Sequence, residues 1–178
     1  MTLDPQLTKL FFAYRNGVVA DRLRRAGDPH SVIMGCTLAE LANIARTMTP
    51  DATLACTLWQ HTNHRECRLM ATMLMPPAQF DAEEAMDWCH SLRSIEEADV
   101  LCHRLLRQTA CAPSLWRTLW DDELPMARYA GCRLLMNLLR SGRATMTDDI
   151  RALVAAKLDA LSGDDAPLRP LLTDLLTN

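Results

Sequence analysis

Two sets of side chains in this sequence have the composition and spacing to do chemistry. His61-x-x-His64-x-x-Cys67 offers three metal-ligating residue types at three- and six-residue intervals, which could bring some of them onto one helical face. A structural zinc site closes on four ligands and no fourth partner is indicated, so surface histidines near a helix junction explain the same residues. No bound metal and no other cofactor is expected. The second set is acidic: residues 81–99 hold seven carboxylates and a single Arg. Asp81, Glu83, Glu84, Glu96 and Glu97 fall in first helical turns, where negative charge meets the positive end of the helix dipole. Asp99 lies past that capping set, between Ala98 and Val100 in an apolar helix, and is left either for solvent or for catalysis.

Several common enzyme classes lack their signatures here. There is no Gly-rich phosphate loop, no Walker-type Lys, no G-x-S-x-G elbow and no H-E-x-x-H pair. Arginine is used lopsidedly, 17 Arg against 2 Lys. Guanidinium groups suit bidentate phosphate contacts, although an arginine-favouring codon bias produces the same count. Trp88, Trp116 and Trp120 stand at helical spacing among Leu and Met neighbours, where core packing is their ordinary role.

Helices must position these residues. Apolar side chains recur at three- and four-residue spacing almost throughout, and no stretch holds a strand-like alternation. Asp4-Pro5 opens a first helix, and Gly17 interrupts a run that continues to about Arg25. Thr37 and Glu40 form a capping box, Ser94 and Glu97 another, and Asp81 to Glu84 a further cap. Thr49-Pro50 is expected to open a helix, Pro76-Pro77 to stop one, and Gly142 and Gly163 to close two more. The count is about ten helices with short links and no evident linker, so residues 1–178 are expected to form a single domain.

The composition agrees with that class. The 178 residues are 49% apolar and 23% charged, with only 6 Gly, which excludes disorder and favours helices. The seven scattered cysteines, odd in number and without a CxxC pair, point to free thiols in a reducing cytoplasm. No basic and apolar leader pattern opens the chain, and the apolar run Leu10 to Tyr14 is too short to span a bilayer. No membrane partner is expected.

Four segments, in order, resemble the AlkD-like DNA alkylation repair family. Leu58-Trp59 followed by His64-Arg65-Glu66-Cys67-Arg68 and Ala71 is similar to its L-W-x4-H-E-x-R-x-x-A segment, with Arg65 additional. Met34-Gly35-Cys36 with Leu41 resembles its Y-G-V-x-x-x-x-L-R segment, with Ala42 in place of the Arg. Trp88, Ile95 and Asp99 resemble the segment bearing its active-site acid, and Arg128-Tyr129-Ala130-Gly131 its R-x-A or R-A-G segment. The similarity covers roughly residues 30–140.

The resemblance implies an all-α superhelix of degenerate HEAT- or ARM-like repeats whose concave face cradles duplex DNA. Active members hydrolyse the glycosidic bond of cationic N3- and N7-alkylated purines without flipping the base into a pocket. An Asp and aromatic rings stabilise the developing positive charge, and an Arg holds a phosphate. Carried over, the catalytic acid is Asp99, and the phosphate-binding position is Arg128 or, in the other register, Tyr129. Two aromatics of the family are missing. Ile95 stands where a Trp is usual, and no Trp follows residue 140. Both losses point to impaired or absent base excision. The alternative is a non-catalytic helical-repeat scaffold that binds a protein on its concave face.

The formal net charge of −3 disfavours nucleic acid as a partner only when taken whole. It divides into +2 over residues 1–80, −6 over 81–99, +4 over 100–157 and −3 over 158–178. The stretch around Arg128 is therefore locally basic.

Overall fold

The computed structural model describes residues 4–177, and every side chain among them except that of Asp164. The fold is all-α. Among the described residues eleven α-helices follow one another: α1 (Pro5–Ala13), α2 (Gly17–Arg25), α3 (Leu38–Arg46), α4 (Ala52–Trp59), α5 (Arg65–Leu74), α6 (Ala82–His90), α7 (Ile95–Arg104), α8 (Ala112–Leu119), α9 (Pro125–Arg140), α10 (Asp148–Asp159) and α11 (Leu168–Thr177). No strand forms among the described residues, apart from one isolated parallel bridge between Val32 and His64. None of these helices is long and apolar enough to cross a membrane.

Capping side chains place most of the helix starts. Thr37 Oγ accepts from the Glu40 amide at 3.3 Å while the Glu40 carboxylate accepts from the Thr37 amide at 2.7 Å, so both halves of that box are present. Ser94 caps α7 through the Glu97 amide at 3.1 Å, and the Glu97 carboxylate reaches one residue further back, to the Arg93 amide at 2.8 Å. Gly17 marks more than an interruption. Asn16 caps a separate α2 by accepting from the Val18 and Val19 amides. The expected opening at Thr49-Pro50 shifts to Asp51, whose carboxylate accepts from the Leu54 amide at 3.0 Å.

The helices gather in two compact units, residues 1–80 and 81–178. In the first, α5 is the buried element: it packs on α3 and α4 and exposes little besides Met73. Its polar residues are buried too, and the backbone saturates them. Glu66 accepts from the amides of Met34 at 3.1 Å and Gly35 at 3.0 Å, and from the Arg65 guanidinium at 3.0 Å. Arg68 donates to the Trp59 carbonyl at 2.8 Å and stacks 3.3 Å above the Trp59 ring. Gly35 makes this geometry possible. Its φ is +81°, and a Cβ there would lie 2.1 Å from the Asn16 carbonyl oxygen.

In the second unit α9 is central. It contacts α6, α7, α8 and α11, and Leu134, Leu135 and Leu138 are fully buried along it. Gly131 lets α8 approach closely, since a Cβ there would meet the Leu119 Cβ at 2.9 Å. The pair α10 and α11 closes the unit.

Candidate active site on α7 and α9

α7 presents Ile95, Asp99 and His103 at four-residue intervals, one helical turn apart. Asp99 meets α9 through two side chains that are themselves one turn apart. The Tyr129 hydroxyl donates to Asp99 Oδ1 at 3.0 Å, and Arg133 Nε lies 3.0 Å from the same oxygen. The Arg133 contact is an ion pair rather than an aligned hydrogen bond, because its buried Nε has no hydrogen-bond partner. Arg133 Nη1 turns instead toward Met136 Sδ at 3.6 Å.

The Asp99 side chain keeps 33% of its surface exposed, so a substrate could reach it. Burial raises its pKa above the ordinary carboxylate range, Arg133 and the Tyr129 hydrogen bond pull it back down, and Glu96 adds to the rise. Burial also raises the Tyr129 phenol, reinforced by the Asp99 charge, so Tyr129 stays a neutral donor at physiological pH. The arrangement offers a part-exposed carboxylate that faces a guanidinium and a phenol donor.

Arg128 is placed elsewhere. Its guanidinium donates to Asp165 Oδ1 at 2.9 and 2.8 Å and to the carbonyls of Asp122 at 2.7 Å and Glu123 at 3.0 Å. Consecutive helical residues point about 100° apart. Tyr129 therefore faces Asp99 while Arg128 ties the start of α9 to the turn at Gly163–Asp165. Arg133 was missed from sequence. Its four-residue spacing from Tyr129 is the signal that could have found it, once Tyr129 is known to face α7.

Ile95 is 41% exposed one turn before Asp99 and offers an aliphatic surface there. No exposed Trp, Tyr or Phe ring of residues 81–177 compensates for it. Trp88, Trp116, Trp120 and Tyr129 are the Trp, Tyr and Phe residues of 81–177, and all four are buried. The core role expected of the three Trp is the one they have.

His61, His64 and Cys67 belong to the packing of the first unit. Among the described residues no group of three or more His, Cys, Asp and Glu side chains is arranged to hold a metal ion. Cys67 is fully buried, and burial, helped by Glu66, pushes its thiol up to about 12. The His64 ring packs 5.7 Å from Phe11, centroid to centroid. Burial lowers its pKa, with Glu66 opposing and His61 and His30 adding to the fall. All seven cysteines are free, and five are buried.

A family model described as DNA alkylation repair enzyme matches residues 7–160. No curated protein and no solved structure matches the chain.

Proposed function

The chain belongs to the DNA alkylation repair enzyme family, and from that membership we propose that it binds duplex DNA through its second unit with base excision impaired. The observation that carries the proposal is the Asp99 site. A carboxylate stands half-exposed where the family resemblance puts the catalytic acid, beside the exposed aliphatic Ile95. Stabilising an oxocarbenium ion needs negative charge and π-faces directed at the sugar. Here the ion pair to Arg133 draws on the charge, and no Trp, Tyr or Phe ring is exposed in residues 81–177.

DNA binding rests on arginine. From Leu124 to Met146 the chain carries Arg128, Arg133, Arg140 and Arg143 and no carboxylate. Arg128 serves a phosphate only by exchanging Asp165 for it. The helix pairs fit degenerate HEAT-like repeats, the architecture that the resemblance implies.

The test is incubation of the full chain with a duplex containing 7-methylguanine, beside an Asp99→Asn variant, with free base and duplex affinity both measured. Salt-sensitive duplex binding with little or no base release is the expected outcome. Efficient release that disappears in D99N would overturn the impairment. Absence of salt-sensitive binding would overturn the DNA role and leave a protein-binding scaffold.

A further inference from the structure

Where α9 ends, the chain builds a cavity. Gly142, at φ +69°, closes the helix, and the amides of Arg143 at 2.9 Å and Ala144 at 3.1 Å both donate to the Leu138 carbonyl. The chain then runs without helical structure to Thr147, which caps α10, and α11 returns against α9. Between α9, α11 and the segment that follows α9 lie about 370 Å³, walled by Met136, Leu139, Met146 and Leu175 and lined also by Arg140 and Asp174. Walls and charges differ in depth. Met136 and Leu175 are buried, whereas the Arg140 and Asp174 side chains are 60% and 38% exposed.

A space of this volume falls within the roughly 300–1,000 Å³ of small-molecule sites. At about 30 Å³ for each water-sized group, it holds about a dozen non-hydrogen atoms. Two methionines in the wall suit a flexible aliphatic chain, because thioethers adjust their shape to what they pack against. The charged end selects the sign of the ligand. Arg140 donates from Nη2 to Asp174 Oδ2 and makes no other hydrogen bond among the described residues, so most of its N–H groups are available. Among the described residues that line the space, Asp174 is the one carboxylate, and residues 124–146 add Arg and no acid.

We infer that this cavity is a binding site for a medium-chain alkyl carboxylate, its aliphatic chain among Met136, Leu139, Met146 and Leu175 and its carboxylate on the Arg140 guanidinium. The two oxygens of a carboxylate match paired N–H groups of a guanidinium, so the ligand takes the donors that Asp174 leaves open. Burying the chain removes apolar surface from water on both sides of the contact. The site stands apart from the duplex-binding role and needs neither Asp99 nor DNA. Its specificity follows from the two ends. An uncharged chain of equal length gains the apolar contacts alone, and an amine of equal length meets Arg140 with like charge.

The experiment titrates decanoate into the full chain, labelled with carbon-13 at the methionine methyls, and follows those methyls by NMR. The chain has 10 Met, so the methyls outside the cavity serve as controls. Decanoate is expected to shift the Met136 and Met146 methyls with a dissociation constant of about 0.1 mM. R140Q should weaken decanoate about fivefold or more and leave decanol unchanged, and decylammonium should bind the wild type more weakly than decanoate does. D174N should bind decanoate about two- to fivefold more tightly, since the guanidinium loses its competing carboxylate. A144W, which fills the cavity from the segment after α9, should abolish binding of decanoate and decanol alike. Circular dichroism checks that A144W folds, and where it does not, the methionine shifts and R140Q decide. Met136 and Met146 methyls that do not move with decanoate on the order of 1 mM overturn the site. Decanoate binding that R140Q leaves as tight, that D174N weakens or that decylammonium matches overturns the carboxylate ligand and with it the proposal.

Discussion

α5 and the contact of α7 with α9 each bring Arg and carboxylate together, and they do opposite things with them. On α5, Arg65, Glu66 and Arg68 are buried, and their hydrogen bonds go to backbone groups and to one another. On α7 and α9, Asp99 and Arg133 are part-exposed, and the Arg133 Nε is left without a hydrogen bond. Both regions lie in segments that resemble the family. What separates a structural charge from an available one is how far its bonding capacity is already used. Buried charges survive only when saturated, because an unpaired one costs several kcal/mol.

The contrast can be broken most directly at Glu66. Glu66→Ala would strip the Met34 and Gly35 amides of their acceptor and the Arg65 guanidinium of its carboxylate in the core. The expected loss is about 3–5 kcal/mol, read from urea denaturation. A loss near that of a surface substitution would show that Glu66 is not the clamp described.

A smaller effect sharpens the other side. Ile95→Trp would restore a π-face one turn from Asp99, where the present side chain is 41% exposed. A cation–π contribution of about 1–2 kcal/mol corresponds to roughly 5–30-fold faster release of 7-methylguanine. Ile95→Leu serves as the control and should change nothing. No gain in the Trp variant would show that the lost aromatic is not what limits the chemistry.

The smallest effect concerns stability and pH. The Asp99 pKa is raised in the folded protein, so the native state holds the proton more tightly than the unfolded chain. Its stabilising contribution is present below the unfolded value and is lost as pH rises through the folded one. Asp99→Asn should therefore be neutral or slightly stabilising at pH 7, within about 0.5 kcal/mol, with the difference fading toward pH 3. Thermal melts at the two pH values read this directly, and a clear destabilisation at pH 7 would contradict it.

Much of the fold was legible in the residues. The Thr37–Glu40 box and the caps at Asp81 and Ser94 lie where their spacing placed them, because a cap is a contact across three residues. The start of α4 moved from Thr49 to Asp51 because two neighbouring residues could each cap and local pattern does not rank them. The candidate site was legible only in part. Asp99 could be singled out from its apolar flanks and from the family resemblance, whereas Arg133 could not. Its place beside Asp99 depends on α9 lying against α7 and on which turn of each helix faces the other.

By itself the sequence determined an all-α chain, most helix boundaries and the family, since each is written in local spacing and in the order of short segments. Tertiary structure alone decided how the charges are shared. It gave Glu66 to the backbone of Met34 and Gly35, Arg128 to Asp165, and Tyr129 and Arg133 to Asp99. Those partners lie about 30 or more residues away, and helix packing brings them within hydrogen-bond reach through rotations of about 100° per residue that periodicity does not resolve.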